Sequence, residues 1–489
     1  MSKAKKKTEK VEKVKETERL KILYVTSEAV PFVHTGGLGE VASALPKNLN
    51  SRRQQDVDCR VILPLHGSVA QEYREKMTFL GSGEVRLGWR AQYVGVFSLD
   101  YDFVTYYFID NEFYFKRDSL YGNFDDCERY AYFSKAVFAA LDIIDFVPDI
   151  IHANDWQTAL VPVYQYAVYR REFTKTVFTV HNIEYQGHYG IDVLGEVIDL
   201  PEEYRHLVEY NGDVNLMKGA IECADVFSTV SPTYAEELKD PAFGFGLDPI
   251  VRKNEGKLIG ILNGIDTLSY NPSKDKTLPA NFSFRKPEGK AVCKEKLQEE
   301  FGLPLRDVPV ISMVTRLVAA KGMDIVADVM DRVLDEMDVQ FLLLGTGDHK
   351  YEEFFRGLQQ RHPDRAACRI EFNAQISRGV YAGSDMFLMP SRSEACGLAQ
   401  MIACRYGAVP IVHETGGLAD SIVDCTLGSG SGFVFREFSG NELYETIAKA
   451  VRLYGNKEDW TALVDHDLKL NFGWKKAAET CMEMYRGLK

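Results

Sequence analysis

The 489-residue chain contains no apolar run long enough to cross a membrane, and its first twenty residues lack the apolar core of a secretory signal peptide. Its nine cysteines are scattered, and none forms a Cys-x-x-Cys pair. An odd number of cysteines in a chain without a secretory signal indicates reduced thiols rather than a disulfide framework or a zinc site. We therefore expect a cytoplasmic protein, or a plastid protein if the source is a plant or alga, with no membrane partner.

Two common nucleotide-binding signatures are also missing. The segment Gly345-Thr346-Gly347-Asp348 lacks the third glycine of a dinucleotide-binding fingerprint, so hydride transfer is disfavoured. The Gly-x-x-x-x-Gly-Lys-Ser/Thr loop of many NTPases does not occur. The formal net charge is −13, and such an acidic balance argues against a nucleic-acid partner.

Residues 1–20 form a Lys-rich segment without aromatic residues. They hold eight Lys/Arg against four Glu, so the rest of the chain carries about −17. This composition is typical of a disordered, solvated leader, and a hook for a membrane or a partner is the alternative. We assign the segment no function.

Behind this leader, short apolar runs alternate with helical patterns, as in parallel βαβ units. The runs occupy residues 21–27, 59–63, 149–152, 176–180, 226–230 and 258–262 in the first half, and 308–312, 339–344, 385–389 and 409–412 in the second. Residues 92–109 indicate a hairpin instead. A polar segment with three prolines, residues 266–290, separates the halves and is the best linker candidate.

The pattern predicts an α/β protein with two doubly wound, Rossmann-like domains facing each other across a deep cleft. Near-continuous apolar strands indicate parallel sheets buried on both faces, and such sheets bind ligands at the carboxyl ends of their strands. We place the first domain at residues 21–265 and the second at 266–472. Residues 473–489 are expected to form a C-terminal helix that packs back on the first domain.

The tetrapeptide Thr-Gly-Gly-Leu occurs twice, at residues 35–38 and 415–418, each time after an apolar run and before a helical pattern. Paired glycines let backbone N–H groups approach a ligand closely, and the start of a helix favours negative charge. The two turns therefore predict one anionic ligand between the two domains.

Two further segments follow buried strands of the second half. Arg316 and Lys321 lie in residues 315–322, where they could hold a diphosphate by charge-assisted hydrogen bonds worth about 1.5 to 3 kcal/mol each. A solvated strand-end arginine and helix-start lysine are the alternative. Glu394, in residues 389–398, is either a carboxylate that faces the cleft or an ordinary acid near the start of a helix.

Polar side chains also follow successive strands, and they are His152, Asn154, Asp155, His181 and Asn182 in the first half and His413 in the second. The histidines lack the compact spacing of a metal site. Polar groups at neighbouring strand ends suit a hydroxyl-rich ligand such as a sugar. Apolar faces for sugar rings could come from Trp156, Tyr164, Tyr185 and Tyr189, although core packing is the usual role of such residues.

Taken together, these segments resemble the bacterial glycogen synthase and plant starch synthase family of retaining glycosyltransferases, family GT5, which has the two-domain GT-B architecture. The resemblance runs from Lys21 to about Lys489. Besides the segments given above, it covers residues 154–159, 180–187, 230–237 and 262–266.

The resemblance implies transfer of glucose from ADP-glucose to the non-reducing end of an α-1,4-glucan, with retention of configuration. Arg316 and Lys321 would stabilise the departing ADP, and Glu394 would lie beside the donor glucose. The implied donor-binding residues are His34, Gly36, Gly37, Asn263, Cys396, Gly397, Leu398, Thr415, Gly416 and Gly417. The residues implied on the sugar and acceptor side are His152, Asn154, Asp155, His181, Asn182, Tyr185 and Gln186. ADP-glucose is a co-substrate, and no metal or other cofactor is expected.

Five positions depart from the usual pattern of the family. They are His34 in place of Lys, Glu40 in place of Asp, Ala395 in place of Pro, Ala399 in place of Thr or Ser, and His413 in place of Arg. An imidazole at position 34 replaces a fixed cation by a group that is about half charged near pH 6.5. The departures surround the expected donor pocket and bear on donor affinity and nucleotide preference.

Three alternatives to an ADP-glucose-dependent synthase follow from these departures and from the site itself. They are a synthase that prefers UDP-glucose, a degenerate glucan-binding or regulatory protein without turnover, and a sugar-nucleotide hydrolase. A glycosidase would need two carboxylates across the scissile bond, and only Glu394 is a strong candidate. The intact basic pair, glutamate and glycine turns favour the active synthase, and the sequence leaves the oligomeric state open.

Overall fold

The computed structural model describes residues 19–51, 56–371 and 373–489, so most of the predicted leader lies outside the described residues. The strands are β1 (Leu20–Val25), β2 (Val57–Pro64), β3 (Thr78–Leu87), β4 (Arg90–Tyr101), β5 (Val104–Asp110), β6 (Ile150–Asn154), β7 (Lys175–Val180), β8 (His188–Tyr189), β9 (Glu209–Tyr210), β10 (Asp213–Asn215), β11 (Val226–Thr229), β12 (Leu258–Gly260), β13 (Val310–Val314), β14 (Gln340–Leu344), β15 (Ala366–Arg369), β16 (Met386–Met389), β17 (Val409–His413) and β18 (Phe433–Phe435).

Helices connect most of these strands. They are α1 (Gly37–Leu49), α2 (Gln71–Arg74), α3 (Glu112–Phe115), α4 (Asp126–Leu141), α5 (Leu160–Tyr164), α6 (Leu216–Cys223), α7 (Pro232–Glu237), α8 (Asp248–Lys253), α9 (Gly289–Phe301), α10 (Met323–Glu336), α11 (His349–Arg361), α12 (Ala374–Gly383), α13 (Ala399–Arg405), α14 (Gly416–Ser421), α15 (Gly440–Gly455), α16 (Lys457–Asp467) and α17 (Lys475–Arg486).

The first domain is built on a sheet with the strand order β12-β11-β7-β6-β1-β2-β5-β4-β3. Its strands are parallel from β12 to β5, and β4 and β3 extend the edge as antiparallel hairpins, including the predicted one. Successive residues of β1 enter different cores, Ile22 and Tyr24 on one face and Leu23 and Val25 on the other, because side chains of a strand alternate between its faces. The sheet is therefore covered on both sides, as the sequence predicts.

The second domain has a parallel sheet with the order β15-β14-β13-β16-β17-β18. Ile311 and Met313 of β13 join a large core that includes residues of α10 and α15, whereas Val310 joins a smaller core with Leu342 and Leu344. The prediction that the second domain is also doubly wound is thereby confirmed. In both sheets the polar segments of interest follow the carboxyl ends of parallel strands.

Two chain segments cross between the domains side by side. The backbone N–H of Ile265 donates to the carbonyl of Phe472 at 2.8 Å. Gly264 lies so close to Trp474 that a Cβ at position 264 would come within 2.7 Å of the Trp474 nitrogen. Beyond the crossing, α17 packs on α1, and the hydroxyl of Tyr485 lies 2.6 Å from a ring nitrogen of His152. The last helix is thus part of the first domain.

Among the described residues, no helix combines the length and the apolar character needed to span a bilayer. The cytoplasmic location expected from the sequence stays a prediction.

Candidate active site

A fixed acid–base pair lies at one edge of the second sheet. Strands β13 and β16 are parallel neighbours, so the segments that follow them emerge at the same edge. Lys321 Nζ lies 2.6 Å from Glu394 Oε2, and the Ser391 hydroxyl donates to the same oxygen at 2.9 Å. The Glu394 side chain is only 11% exposed. A cation and a hydroxyl therefore fix the orientation of this carboxylate.

Arg316 follows the same strand as Lys321 but has a different environment. Its side chain is exposed, and its guanidinium makes no hydrogen bond or ion pair with any residue of the described ranges. A guanidinium presents a rigid fork of donors that matches phosphate oxygens. In a protein of net charge −13, an unpaired arginine beside Lys321 at a strand end is suited to hold a diphosphate.

The second Thr-Gly-Gly-Leu turn packs directly on the segment that carries Glu394. The backbone N–H of Gly417 donates to the carbonyl of Glu394 at 3.1 Å. Gly416 has a φ of 43°, and a Cβ there would collide with the carbonyl oxygen of Glu394. A Cβ on Gly417 would likewise collide with the backbone of Cys396. Only two glycines allow this approach, so the turn and the Glu394 segment form one unit.

Cys396, Gly397 and Leu398 connect Glu394 to helix α13. Cys396 is buried, and burial raises the pKa of its thiol to about 12, a shift opposed by a hydrogen bond with the backbone of Asn263. The thiol is therefore neutral and has a packing role. Gln400 donates to the carbonyls of Cys396 and Gly397 at 3.0 Å each. The hydrogen bond with Cys396 places Asn263, in the crossing segment, against the donor-side cluster, which consists of Arg316, Lys321 and residues 391–398.

The first Thr-Gly-Gly-Leu turn is held from below by a buried acid. Glu28 is 3% exposed, and its Oε2 accepts the Thr35 backbone N–H at 2.5 Å and the Thr35 hydroxyl at 3.0 Å. Burial raises the pKa of Glu28 to about 7, and the hydrogen bonds from Thr35 oppose that rise. His34, Gly36 and Gly37 are exposed. Glu28 thus fixes the turn at Thr35, while His34, Gly36 and Gly37 face the solvent.

A hydrogen-bonded group at the ends of β6 and β7 joins several of the predicted sugar-side residues. Asp155 Oδ1 accepts the backbone N–H groups of His181 at 2.7 Å and Asn182 at 3.4 Å. The His181 ring lies 2.9 Å from the Oδ1 atom of Asn154, which also accepts from the Tyr24 hydroxyl at 2.8 Å. Burial lowers the pKa of His181 to about 3, so the ring is neutral.

Two sugar-side predictions need correction. The ring nitrogens of His152 lie 2.6 Å from the hydroxyls of Tyr485 and Thr179, and the residue is 2% exposed, so its side chain links α17 to the sheet and cannot touch a ligand. The Asn154 side chain is fully buried and its amide is already hydrogen-bonded within the protein. Asn154 therefore orients His181 and makes no contact of its own with a sugar.

The remaining aromatic and amide predictions have mixed outcomes. Tyr185 is 51% exposed, whereas Trp156 and Tyr164 lie in the core of the first domain and Tyr189 is half-buried against that core. The Gln186 side chain donates to the carbonyl of Phe245 at 3.1 Å and accepts from Asn215 at 2.6 Å. Only Tyr185 of these aromatic rings offers an open face.

A small cavity of about 20 Å³, enough for one water molecule, lies where the crossing segments meet the first sheet. Its lining includes His181, His152, Asn263 and Trp474. The first-domain group and the crossing segment are therefore neighbours. Within the described part of the chain, no hydrogen bond or ion pair joins the turn at residues 34–37 to the Glu394 cluster.

Four residues that take part in these arrangements have no role in the sequence-based prediction. Ser391 orients Glu394, Glu28 anchors the first turn, and Glu237 and Asp420 connect the domains through helices α7 and α14. Ser391 and Glu237 lie in segments that carry the family resemblance, so their positions were a usable signal. Glu28 and Asp420 have a role only through their tertiary contacts.

Two features define the class of the protein. It has a pair of doubly wound domains joined by two crossing segments, and basic and acidic side chains lie at the strand ends of its second sheet. It is a glycosyltransferase with GT-B architecture. Comparison with known proteins narrows this class. The family model described as starch synthase catalytic domain matches residues 21–253, and that described as glycosyl transferases group 1 matches residues 308–452.

Similar proteins cover almost the whole chain. The glycogen synthase of Ligilactobacillus salivarius is 46% identical over 96% of this chain and all of its own, and that of Anoxybacillus flavithermus is 44% identical over 95% and 97%. The catalytic domain of starch synthase IV from Arabidopsis thaliana, solved bound to ADP and acarbose, superposes with a TM-score of 0.89 at 31% identity, covering 96% of this chain and 99% of that one. The chain belongs to the glycogen and starch synthase family.

Replacing Asp155 by asparagine is expected to stabilise the protein above neutral pH. Burial raises the pKa of Asp155 to about 7, opposed by the N–H groups of His181 and Asn182, and the charge of Glu28 adds to the rise. An unfolded aspartate ionises near pH 3.9, so the folded state loses stability as pH rises from there to about 7. Asparagine keeps the acceptor oxygen, removes this penalty and has nearly the same shape as aspartate, so the strain of the backbone at residue 155 (φ 55°, ψ 179°) is the same in both proteins.

We expect a gain on the order of 2 kcal/mol in the free energy of unfolding at pH 8, shrinking toward pH 5, in denaturant titrations at both pH values. The matched control is Asp142→Asn, on an exposed carboxylate that pairs with Arg171. A gain of the same size at pH 5 and pH 8 would contradict the burial argument.

Proposed function

We propose that this chain transfers glucose from ADP-glucose to the non-reducing end of an α-1,4-glucan, with retention at the anomeric carbon. The observation that carries the proposal is the fixed Lys321–Glu394 pair at 2.6 Å beside Arg316, whose guanidinium pairs with none of the described residues. The names of the similar glycogen synthases, and the ADP and acarbose bound to the similar Arabidopsis enzyme, support the nucleotide and the α-glucan as ligand classes.

In the proposed reaction, the acceptor hydroxyl attacks the anomeric carbon on the face that ADP leaves. Arg316 and Lys321 stabilise the negative charge that develops on the diphosphate. A phosphate oxygen of the leaving group takes the proton of the acceptor hydroxyl. The new glycosidic bond thus forms on the same face, which retains the configuration without a covalent enzyme intermediate.

Glu394 is suited to hold the donor glucose rather than to attack it. Its Oε2 is already bound by Lys321 and Ser391, which fixes the carboxylate in one orientation. A retaining glycosidase uses a nucleophilic carboxylate and a second carboxyl about 5 to 5.5 Å from it, whereas the proposed mechanism uses neither. In this mechanism the negative charge of Glu394 favours positive charge on the sugar ring in the transition state. The Gly416–Gly417 turn carries the Glu394 segment toward the donor.

The first domain supplies the other wall of the proposed site. The exposed turn at residues 34–37 would face the donor, and Asp155, Asn182 and Tyr185 offer a carboxylate, an amide and an open ring to sugar hydroxyls and faces. His181, held neutral by burial and oriented by Asn154, can hydrogen-bond a hydroxyl without adding charge.

We also propose that the transfer requires no metal ion, because Arg316 and Lys321 already supply two positive charges for the diphosphate. Turnover that is unchanged within twofold by excess EDTA is the expected result. A loss restored by Mg²⁺ or Mn²⁺ would show that the basic pair is insufficient.

A donor panel with glycogen as acceptor tests the function. ADP-glucose and UDP-glucose are each incubated with and without glycogen, and both nucleotide release and chain extension are measured. The proposal expects acceptor-dependent ADP release with matching extension, faster than with UDP-glucose. Faster reaction with UDP-glucose would identify the alternative donor, and release without acceptor would identify a hydrolase. Glycogen binding without turnover on either donor would identify a glucan-binding protein.

The donor affinity of a His34 variant tests the role proposed for His34, whose side chain is exposed. If position 34 contacts the donor phosphate, His34→Lys, which places a fixed cation there, should lower the KM for ADP-glucose about threefold to tenfold. A matched control is His349→Lys, at an exposed site on α11. An unchanged KM in His34→Lys would remove this contact from the proposal.

A further inference from the structure

Helices α7 and α14 belong to different domains and bind each other through two carboxylates. Asp420, in α14, accepts the backbone N–H of Thr233 at 2.9 Å and its hydroxyl at 2.7 Å. Glu237, in α7, accepts the Thr415 hydroxyl at 2.8 Å and the Gly416 backbone N–H at 2.9 Å. Each acid thus binds the first turn of the other helix, and the two helices lie antiparallel.

This contact between α7 and α14, called the joint below, is made by directed hydrogen bonds rather than by ion pairs. Neither Glu237 nor Asp420 forms an ion pair with a described residue, and the Oε2 atom of Glu237 is buried without a hydrogen-bond partner there. Burial raises the pKa of Glu237 above its ordinary value, the hydrogen bonds from Gly416 and Thr415 oppose this rise, and the charge of Asp420 adds to it. Backbone N–H and hydroxyl donors fix positions, because each has a defined direction.

The joint extends into the site through the second glycine turn. Gly416, bound by Glu237, has no room for a side chain because the carbonyl of Glu394 fills that space. The next residue, Gly417, donates its N–H to the same carbonyl at 3.1 Å. A displacement of the turn therefore displaces Glu394, and the position of a second-domain carboxylate is linked to a first-domain side chain.

We propose that Glu237 is a positioning residue for glucosyl transfer: from the first domain it fixes the Thr415–Gly416 turn and, through this turn, the carboxylate of Glu394. The inference rests on the proposed function. Glu237 touches neither donor nor acceptor, so its loss should slow the transfer step and leave donor binding by Arg316 and Lys321 in place.

The variants Glu237→Ala and Glu237→Gln, with Glu236→Ala as matched control, test this role. Glu236 is the neighbouring acid of the same helix, 75% exposed and paired with Lys239. We expect Glu237→Ala to lower kcat about 30-fold, the scale of losing hydrogen bonds to a charged acceptor. The KM for ADP-glucose, and the Kd of ADP measured by calorimetry, should change less than twofold. Glu237→Gln keeps the acceptor oxygen and should recover kcat to within about threefold of the unmodified protein.

A merely structural role predicts a different result. It would lower the melting temperature and the concentration of active sites. The kcat per ADP-binding site would stay unchanged in Glu237→Ala, so Glu237→Gln would have no loss of kcat to restore. If Glu237→Ala does not fold, Thr415→Val serves in its place, because Thr415 is 1% exposed and its hydroxyl donates to Glu237. Loss of this hydroxyl should lower kcat about fivefold. For Thr415→Val, a kcat within twofold of the unmodified protein would overturn the inference.

The unmodified protein separates this inference from the proposed function. Absence of turnover on both donors in the unmodified protein would overturn the proposed function and the role of Glu237 together. Turnover in the unmodified protein that Glu237→Ala leaves within threefold would overturn the role of Glu237 alone.

Discussion

Replacing Glu394 by glutamine is expected to lower the kcat for glucosyl transfer about a thousandfold, the upper range for losing one preorganised electrostatic group. Transfer through an oxocarbenium-like transition state places positive charge on the donor ring. The Glu394 carboxylate is 11% exposed and held by Lys321 and Ser391, so its charge acts where water cannot screen it. Glutamine has nearly the same shape, so the substitution removes the charge, and with it the ion pair to Lys321, without opening a cavity.

Steady-state kinetics with ADP-glucose and glycogen measure this effect, and calorimetry with ADP checks that the donor site is intact. The matched control is Glu353→Gln, which removes an exposed carboxylate on α11 that pairs with Arg356. We expect the control to retain full kcat and Glu394→Gln to bind ADP within about threefold of the unmodified protein. A kcat within tenfold of the unmodified value would mean that Glu394 does not lie beside the reacting sugar.

The fold could be predicted largely from the sequence because most strands of both sheets are buried on both faces. Their apolar runs are short, continuous and followed by helical patterns, which leaves few alternatives. The helical pattern after the first run is an example, since Leu38, Val41 and Leu45 recur at the three- and four-residue spacing of one helix face and are all buried in α1. Among the strands of the two large sheets, β3, β15 and β18 are absent from the prediction, and the small antiparallel sheet of β8, β9 and β10 is absent as well. Most residues of β3 are exposed, so it has no apolar alternation, and β18 has only three residues.

The donor-side cluster could be predicted for a different reason. Residues that follow neighbouring parallel strands must emerge at one edge, so Lys321 and Glu394 could be expected together without knowledge of side-chain contacts. The same argument could not decide which of the first-domain histidines is covered by another part of the chain. His152 and His181 both lie near strand ends, but only the position of α17 decides that His152 is covered by Tyr485. Contacts between distant segments therefore set the limit of the sequence-based prediction.

One departure from the family pattern has a structural explanation. The ring nitrogens of His413 lie 2.8 Å from the carbonyl oxygen of Ser391 and 3.2 Å from that of Arg436. Both atoms are acceptors, and a multiply donating side chain such as the usual arginine would serve the same pair. His413 is buried and supports the segment that orients Glu394. Its effect on the donor is thus indirect, through Ser391.

Removal of Lys321 is expected to cost more activity than removal of Arg316, although both face the departing diphosphate. Lys321→Ala loses a cation for the leaving group and also leaves Glu394 buried without its ion-pair partner. We expect kcat/KM for ADP-glucose to fall about a thousandfold in Lys321→Ala and about a hundredfold in Arg316→Ala, where no internal pair is broken. Arg356→Ala, on an exposed arginine of α11, is the control.

The coupling between Lys321 and Glu394 makes the ranking testable by a double-mutant cycle. If Lys321 acts partly by holding the carboxylate, Lys321→Ala should cost only about a hundredfold when Glu394 is already glutamine, the share due to the diphosphate, against about a thousandfold alone. Arg316→Ala should keep its full cost in the same background, because Arg316 makes no contact with Glu394. Additive losses for Lys321 and Glu394 would mean that the 2.6 Å pair does not persist when the donor is bound, and that Lys321 then belongs to the diphosphate alone.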